Sequence, residues 1–335
     1  MITTPLVSIV LPVYNVAAHI QDTMSSLLKQ TLPDFELLIL DDCSTDNTVD
    51  RIKAVHDPRI RLIQNDQNLG RAGTDNAALQ HVTGQYIAKM DGDDICHPER
   101  LAKQVAVLRQ QPDVNVVGSW MQNFGASSYL NQYPESSAEA QVMTLFTLPT
   151  GNPSVMLRTE LLREQGLQYD ATLRQTEDYD FFARYIRELR IHTIQEALIQ
   201  YRVPPDIRKK EILSERATVA DMVREQLLTR WKVSFTSEEL KTHNTIAMLN
   251  HGAGVSLQKV ERWLLKLLAH NTQEAWFQPQ ALQRVLAQRW FEVCYTYRQP
   301  HLDGFRHFYR SPLSAGYSLG ARQQAKFLFQ ALRGF

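Results

Sequence analysis

A chain of 335 residues, 44% hydrophobic and 21% charged, has the make-up of a globular protein and room for one large domain or two ordinary ones. Its 36 basic and 36 acidic residues cancel, so no global charge points to nucleic acid. The three cysteines, Cys43, Cys96 and Cys294, are odd in number and far apart, which excludes a disulfide framework or a zinc spacing and suits a reducing compartment.

In chain order, "LVSIVLPVYN" is a β-branched run predicted as the first strand, ended by Pro12. "AAHIQDTMSSLLKQ" follows with Ile20, Met24, Leu27 and Leu28 at helical spacing. "FELLILDD" is a second strand without polar alternation, as expected of a parallel sheet covered on both faces. Ser44 or Asp46 can cap a helix through "NTVDRIKAV". "RIRLIQN" is the third strand. "AGTDNAALQHV" is helical, with Gly84 expected as its left-handed stop. "QYIAKM" is the fourth strand, and Pro98 is placed at the first position of a helix running to Gln110. "VNVVGSW" and "PSVMLR" read as further strands. This alternation defines an open α/β sheet, whose ligands sit beyond the carboxyl ends of its strands.

The residues at those ends therefore belong together. The first strand ends in Pro12, Tyr14 and Asn15, the second in Asp41 and Asp42, the fourth in Asp91, Asp93 and Asp94. Carboxylates gathered on one edge repel one another unless a cation lies between them. The D-x-D spacing of Asp91 and Asp93 can offer oxygens to one hard divalent ion, Mn2+ or Mg2+, with water and phosphate completing its shell. Each piece alone has a plainer explanation: a solvated Asp-rich turn, a helix cap at "DDCS", a tyrosine packed on a loop. Their coincidence at corresponding strand ends favours a ligand site.

Taken in order, "VSIVLPVYN", "FELLILDDCSTDNT", "NLGRAGTDNAAL" and "YIAKMDGDDICHPERL" resemble family two of the inverting glycosyltransferases, over roughly residues 5–203. The resemblance implies the GT-A fold, a Rossmann-like open mixed sheet flanked by helices. It also implies transfer of a sugar from a nucleotide diphosphate donor to an acceptor hydroxyl with inversion. By that resemblance Pro12 and Tyr14 border the nucleotide, with the tyrosine ring against the base. Asp42 accepts from an imide N–H of uracil if the donor is a UDP-sugar. Asp91 touches the ribose and the metal region, and Asp93 is the direct metal ligand. Arg71 can face the donor phosphates, or can equally be an exposed arginine at a helix start. Cys43 stands where the family often has glycine, and is expected as a tolerated small residue. His97 is expected to order the loop before Pro98.

Inverting transfer needs a base for the acceptor hydroxyl. In "LRQTEDYDFFARYIREL", Glu177, Asp178 and Asp180 open a helix, where acids are favoured by the helix dipole in any case. The resemblance singles out Asp178 as catalytic base. The Q-x-x-R-W signature of processive members is absent, with "IQYRV" at Ile199–Val203 as the nearest remnant, which points to one sugar per encounter.

Residues 1–205 carry 17 basic and 25 acidic residues, and 206–335 carry 19 and 11, so two modules of opposite sign are expected. The first is the nucleotide-sugar glycosyltransferase domain. The second reads as helices without a catalytic motif, including a stripe of Trp263, Leu264, Leu267 and Leu268. Its tail, 304–335, has five basic residues and no acid, with Phe305, Phe308, Tyr309, Phe327, Phe329 and Phe335 among its seven aromatics. That composition suits an anionic membrane surface. No apolar run approaches the ~20 residues that span a bilayer, and no signal peptide is evident, so a cytoplasmic location is expected, peripheral on the membrane through the tail. The expected partners are a nucleotide-sugar donor and a saccharide or lipid-linked acceptor of a surface polysaccharide or lipopolysaccharide, with no nucleic acid. Two other classes compete: a sugar nucleotidyltransferase, which should carry a glycine-rich basic loop after the first strand, and a non-catalytic nucleotide-sugar binder, which could dispense with Asp178.

Overall fold

The computed structural model describes residues 4–204, 209–249, 256–297 and 302–333. Strand β1 (Val7–Val13) leads to helix α1 (Ile20–Leu28), β2 (Phe35–Asp41) to α2 (Thr48–Lys53), and β3 (Ile60–Gln64) to α3 (Gly70–Leu79). Strand β4 (Tyr86–Lys89) continues through a short β5 (Ile95–Cys96) to α4 (Arg100–Gln110). There follow β6 (Val116–Gly125), β7 (Leu130–Asn131), α5 (Ser137–Met143), β8 (Met156–Arg158), α6 (Thr159–Gln165), α7 (Glu177–Arg184) and β9 (Ile191–Val203). The sheet order is β3-β2-β1-β4-β8-β6-β9-β5, with β7 on β6. Strands β1 to β4 are mutually parallel where they pair, and β8 is antiparallel to both its neighbours, so the sheet is mixed.

The apolar runs of β1 and β2 are explained by the two faces they feed. Ile9, Leu11, Leu37 and Ile39 pack with Ile20, Met24 and Leu27 of α1 and Leu101 and Val105 of α4. Val10, Leu38 and Leu40 pack on the other face with Ala72 and Ala78 of α3 and Phe181 and Phe182 of α7. Residues alternate between faces and both faces are covered, so the strands are mostly apolar, and the polar Ser8 and Glu36 are buried with the Ser8 hydroxyl donating to Glu36 Oε1 at 2.5 Å.

Several local expectations change. Pro12 does not end the first strand: it lies inside β1 in register with Leu40, and β1 runs on to Val13. Pairing with β4 stops at Val10, so β1 is bonded on one side only at Pro12, where a missing N–H is tolerated. Gly84 is not the cap of α3, which ends at Leu79. It is required instead for close approach: a Cβ there would stand 2.6 Å from the Ser8 nitrogen. Helix α4 starts at Arg100, two residues after Pro98. In "PSVMLR", Pro153 and Ser154 belong to a 3-10 turn and only Met156–Arg158 is strand. The long β9, parallel to β6, was not anticipated.

The chain forms two compact units, Met1–Ala140 with Leu148–Val219, and Gln141–Thr147 with Ala220–Phe335. The sequence placed a division at 205; the units divide within helix α8 (Lys209–Arg230), after Val219. The second unit contains α9 (Ser237–Met248), α10 (Leu257–Glu274), α11 (Pro279–Thr296), α12 (Asp303–Arg310) and α13 (Ala321–Arg333). Thr236 and Glu239 form a reciprocal capping box at the start of α9. Trp231, Trp263 and Trp290 are fully buried, as are Leu264 and Leu267 of the expected stripe, whereas Leu268 is partly exposed. The tail aromatics divide. Phe308 and Phe327 are core residues, packed edge-on against Phe291, and cannot meet lipid in this fold. Tyr309 and Phe329 are about half exposed. Phe335 lies outside the described residues. Among the described residues no helix is long and apolar enough to cross a membrane.

Candidate active site

The parallel register brings the ends of β1, β2 and β4 to one edge. The β1–α1 and β2–α2 loops are laced together there. Asn15 accepts at Oδ1 from the N–H groups of Thr45 (2.7 Å) and Asp46 (3.3 Å), and its own N–H donates to Ser44 Oγ at 2.9 Å. Asp46 accepts from Ala17 N–H at 3.1 Å and from Thr48 N–H at 3.0 Å, and Ser44 is drawn to Asn15, but the N-cap of α2 is Asn47, so neither expected residue holds that position. This lacing leaves Tyr14 half exposed at the rim, with its ring available to a planar ligand.

Asp42 lies one residue beyond β2 and is almost fully buried. Its Oδ1 accepts from Leu69 N–H at 2.8 Å and Asn65 Nδ2 at 2.9 Å, and its Oδ2 from Gly70 N–H at 2.9 Å. The carboxylate therefore holds the loop that opens α3, and Oδ2 keeps a lone pair for one more donor. Gly70 has φ +70°, a left-handed conformation that glycine adopts without strain, and this conformation delivers its N–H to Asp42. Asp41, grouped with Asp42 at the strand end without a role of its own, has its Oδ1 buried with no hydrogen-bond partner among the described residues. Cys43, where glycine is frequent in the family, has φ +63°. The preference for glycine is thus a backbone requirement that the cysteine meets at a cost of roughly 1 kcal/mol.

Holding Asp42 to Gly70 fixes Arg71, the next residue. Its guanidinium is ion-paired with Asp91 and lies 3.5 Å from Glu177 Oε1. Burial opposes its charge, but the carboxylates of Asp91, Asp75 and Glu177 hold it protonated above its ordinary range. One side chain thus ties the acidic loop after β4 to the start of α7. Arg71 is the second residue of α3 and its side chain is 38% accessible, so the exposed helix-start description holds alongside these contacts.

The acid cluster is dense. Burial raises the Asp93 carboxyl, and the charge of Asp91 raises it further. Asp94, fully buried, is pushed up to about 9 by burial and by Asp91, and its Oδ2 has no partner among the described residues. Glu177 is raised to about 7 by burial and by Asp178. Asp178 is raised by burial, against the Tyr179 N–H that donates to it at 2.8 Å and the opposing charge of Arg71. Thr176, just before α7, has φ +66°, a strained left-handed conformation that sets the direction of this acidic first turn. Among the described residues no three His, Cys, Asp or Glu side chains form a ready ligand set. Yet the raised carboxyls and the orphaned Asp94 oxygen mark more negative charge than Arg71 balances, which is the environment a divalent cation fits.

Two further arginines belong to the site. Arg202, near the end of β9, donates from its N–H to Asp94 Oδ1 and from Nε to Asp93 O, both at 2.8 Å, and its guanidinium lies 4.5 Å from the Phe124 ring centroid. Its only signal in the sequence was the "IQYRV" remnant. Arg100 is fully buried and donates from Nη2 to Lys89 O at 2.7 Å, capping the end of β4 beneath the acidic loop. A cation so deep in a helix pattern gives no sequence signal. His97 has the expected loop role, accepting at Nδ1 from Glu99 N–H at 3.3 Å.

The family model for glycosyl transferase family 2 matches residues 8–165. A putative glycosyltransferase of Bacillus subtilis, EpsE, is 35% identical over 62% of this chain and 76% of its own length. An uncharacterized glycosyltransferase of Methanocaldococcus jannaschii is 32% identical over 60% of this chain and 71% of its own. Residues 1–349 of TarS from S. aureus, solved with UDP, superpose with a TM-score of 0.55 over 91% of each chain at 19% identity. The chain belongs to glycosyltransferase family 2 and has the GT-A fold.

Proposed function

We propose that this glycosyltransferase moves one sugar per encounter from a UDP-sugar to a hydroxyl of a saccharide or lipid-linked acceptor, with inversion, during synthesis of a surface glycan. The observation that carries the reading is the bridge through Arg71, which couples the acidic loop of Asp91 and Asp93 to the carboxylates of Glu177 and Asp178. Nucleotide and base functions are thereby held by one guanidinium. Tyr14 and Pro12 border the base and ribose, and Asp42 Oδ2 accepts an imide N–H of uracil. Asp178 takes the proton of the acceptor hydroxyl as its oxygen bonds to the anomeric carbon, and the nucleotide diphosphate leaves from the opposite face. Asp93, with Asp91, would hold Mn2+ or Mg2+, whose chemistry there is to offset the charge of the diphosphate. Arg71 then turns from Asp91 toward the phosphates.

Support for the substrate class comes from relatives. WfgD of Escherichia coli is described as a UDP-Glc:alpha-D-GlcNAc-diphosphoundecaprenol beta-1,3-glucosyltransferase; it is 42% identical over 31% of this chain and 41% of its own length. PcManGT of Pyrobaculum calidifontis, solved with GDP-Man and Mn2+, shares the fold at a TM-score of 0.50 and 17% identity. A lipid-linked acceptor places the enzyme at the cytoplasmic face of a membrane.

The test is a nucleotide-sugar screen by thermal shift with Mn2+, followed by donor hydrolysis and transfer with the best ligand. Asp178→Asn should bind UDP nearly as wild type and lose turnover by ~10²–10⁴-fold. Near-normal turnover in that variant would assign the base elsewhere, with Glu177 next in line. Binding without any turnover in wild type would favour the non-catalytic binder.

A further inference from the structure

The final helix has two apolar faces, one buried in the protein and one exposed. Phe327 of α13 is buried, in ring contact with Phe291, Phe305 and Phe308. On another face Ala325, Leu328, Phe329 and Leu332 recur at the i, i+3, i+4, i+7 spacing of a continuous stripe. These side chains are exposed: Leu328 is 41%, Phe329 55% and Leu332 65% accessible. A helix buried on one side would ordinarily carry polar residues there.

The charges around the stripe indicate what meets it. By helical spacing Arg322 and Lys326 fall along one edge of it, and both are exposed. Helix α12 packs on α13 through Phe305 and Phe327 and presents Arg306, Tyr309 and Arg310, again at i, i+3, i+4 and again exposed. Among the described residues none of these four cations makes an ion pair. No acidic residue occurs after Asp303, so nothing nearby in sequence opposes them. An apolar stripe edged by unpaired cations, with an amphipathic tyrosine beside it, complements an acyl boundary under anionic headgroups.

We infer that α13, with the exposed face of α12, is a docking surface for an anionic lipid bilayer, the leucines and Phe329 entering the acyl boundary and the four cations contacting headgroups. The inference deepens the lipid-linked acceptor reading above, but its test is independent of turnover. It differs from the expectation drawn from composition, because Phe308 and Phe327 stay in the protein core and the contact is made by residues around them.

Full-length protein should float with phosphatidylglycerol-containing vesicles at low salt, release as salt rises, and ignore pure phosphatidylcholine. Neutralising one cation should weaken binding roughly fivefold, so Arg322→Gln with Lys326→Gln should lose roughly 25-fold. Leu328→Ser with Leu332→Ser should lose at least about tenfold. Both variants alter exposed positions and should melt as wild type and bind UDP unchanged. Full-length protein that ignores anionic vesicles, or a cation pair variant that binds them normally, would overturn the inference. So would self-association that the leucine variant abolishes while vesicle binding persists, since a second copy would then be the occupant. A protein that docks on vesicles but binds no nucleotide sugar would instead refute the enzymatic reading alone.

Discussion

Asp42→Asn isolates the carboxylate that joins β2 to α3. The side chain keeps its size, so packing is conserved. One oxygen position can still accept from Leu69 N–H and Asn65 Nδ2, but the amide nitrogen then faces the Gly70 N–H, donor against donor. Losing one hydrogen bond to a buried charged acceptor costs about 1.5–3 kcal/mol. The two remaining bonds weaken as their acceptor becomes neutral. The total should be ~2–4 kcal/mol, a visible share of the ~5–15 kcal/mol of an ordinary domain. Gly70 would lose its anchor and Arg71 its position, so UDP affinity should fall with stability. Asp41→Asn is the control. Among the described residues its Oδ1 has no partner and its Oδ2 accepts from Ser44 N–H at 3.2 Å alone, so stability should change by under ~1 kcal/mol. Urea unfolding and UDP calorimetry on both variants measure these differences. Equal stability of Asp42→Asn and wild type would refute the structural role argued here.

UDP should bind more tightly with Mn2+ or Mg2+ than with EDTA, and Asp93→Ala should remove the difference; equal affinity in both conditions would remove the metal from the proposal. Arg202→Ala deletes the Nε–H bond to Asp93 O and should weaken metal-dependent UDP binding about 10–100-fold while leaving the melting temperature little changed, as titration of Mn2+ will show. His243 should make the protein acid-sensitive. Burial lowers its pKa to about 3; Trp263 Nε1 donates to its Nδ1 at 3.1 Å, and its Nε2 bonds Leu145 O at 2.8 Å. The unfolded chain takes a proton near pH 6.5 and the folded chain does not, so this stability is whole above 6.5 and falls as pH drops toward 3, by about 1.4 kcal/mol per unit. His243→Phe should flatten that dependence between pH 7 and 5; an unchanged slope in urea midpoints would place the sensitivity elsewhere.

The sequence by itself determined the alternating sheet, the gathering of strand-end acids and the helical second half. Those features are written in local periods: continuous apolar runs for doubly covered strands, three-and-four spacing for helices, aspartates where parallel strands stop. "DDCS" and "DGDD" were legible because parallel register carries residues with similar offsets to a shared edge. Tertiary structure alone decided what each acid does. Asp42 became a loop anchor because Leu69 and Gly70 arrive from far along the chain. Arg71 became a bridge because α7 brings Glu177 beside Asp91. Arg202 entered the site because β9 pairs with β5, next to the acidic loop, a strand partnership that no local pattern encodes. The tail shows the same limit. Its aromatics and cations were visible in the composition, but Phe327 and Phe329 lie two residues apart on one helix, and only long-range packing against Phe291 and Phe308 buries the first and leaves the second exposed.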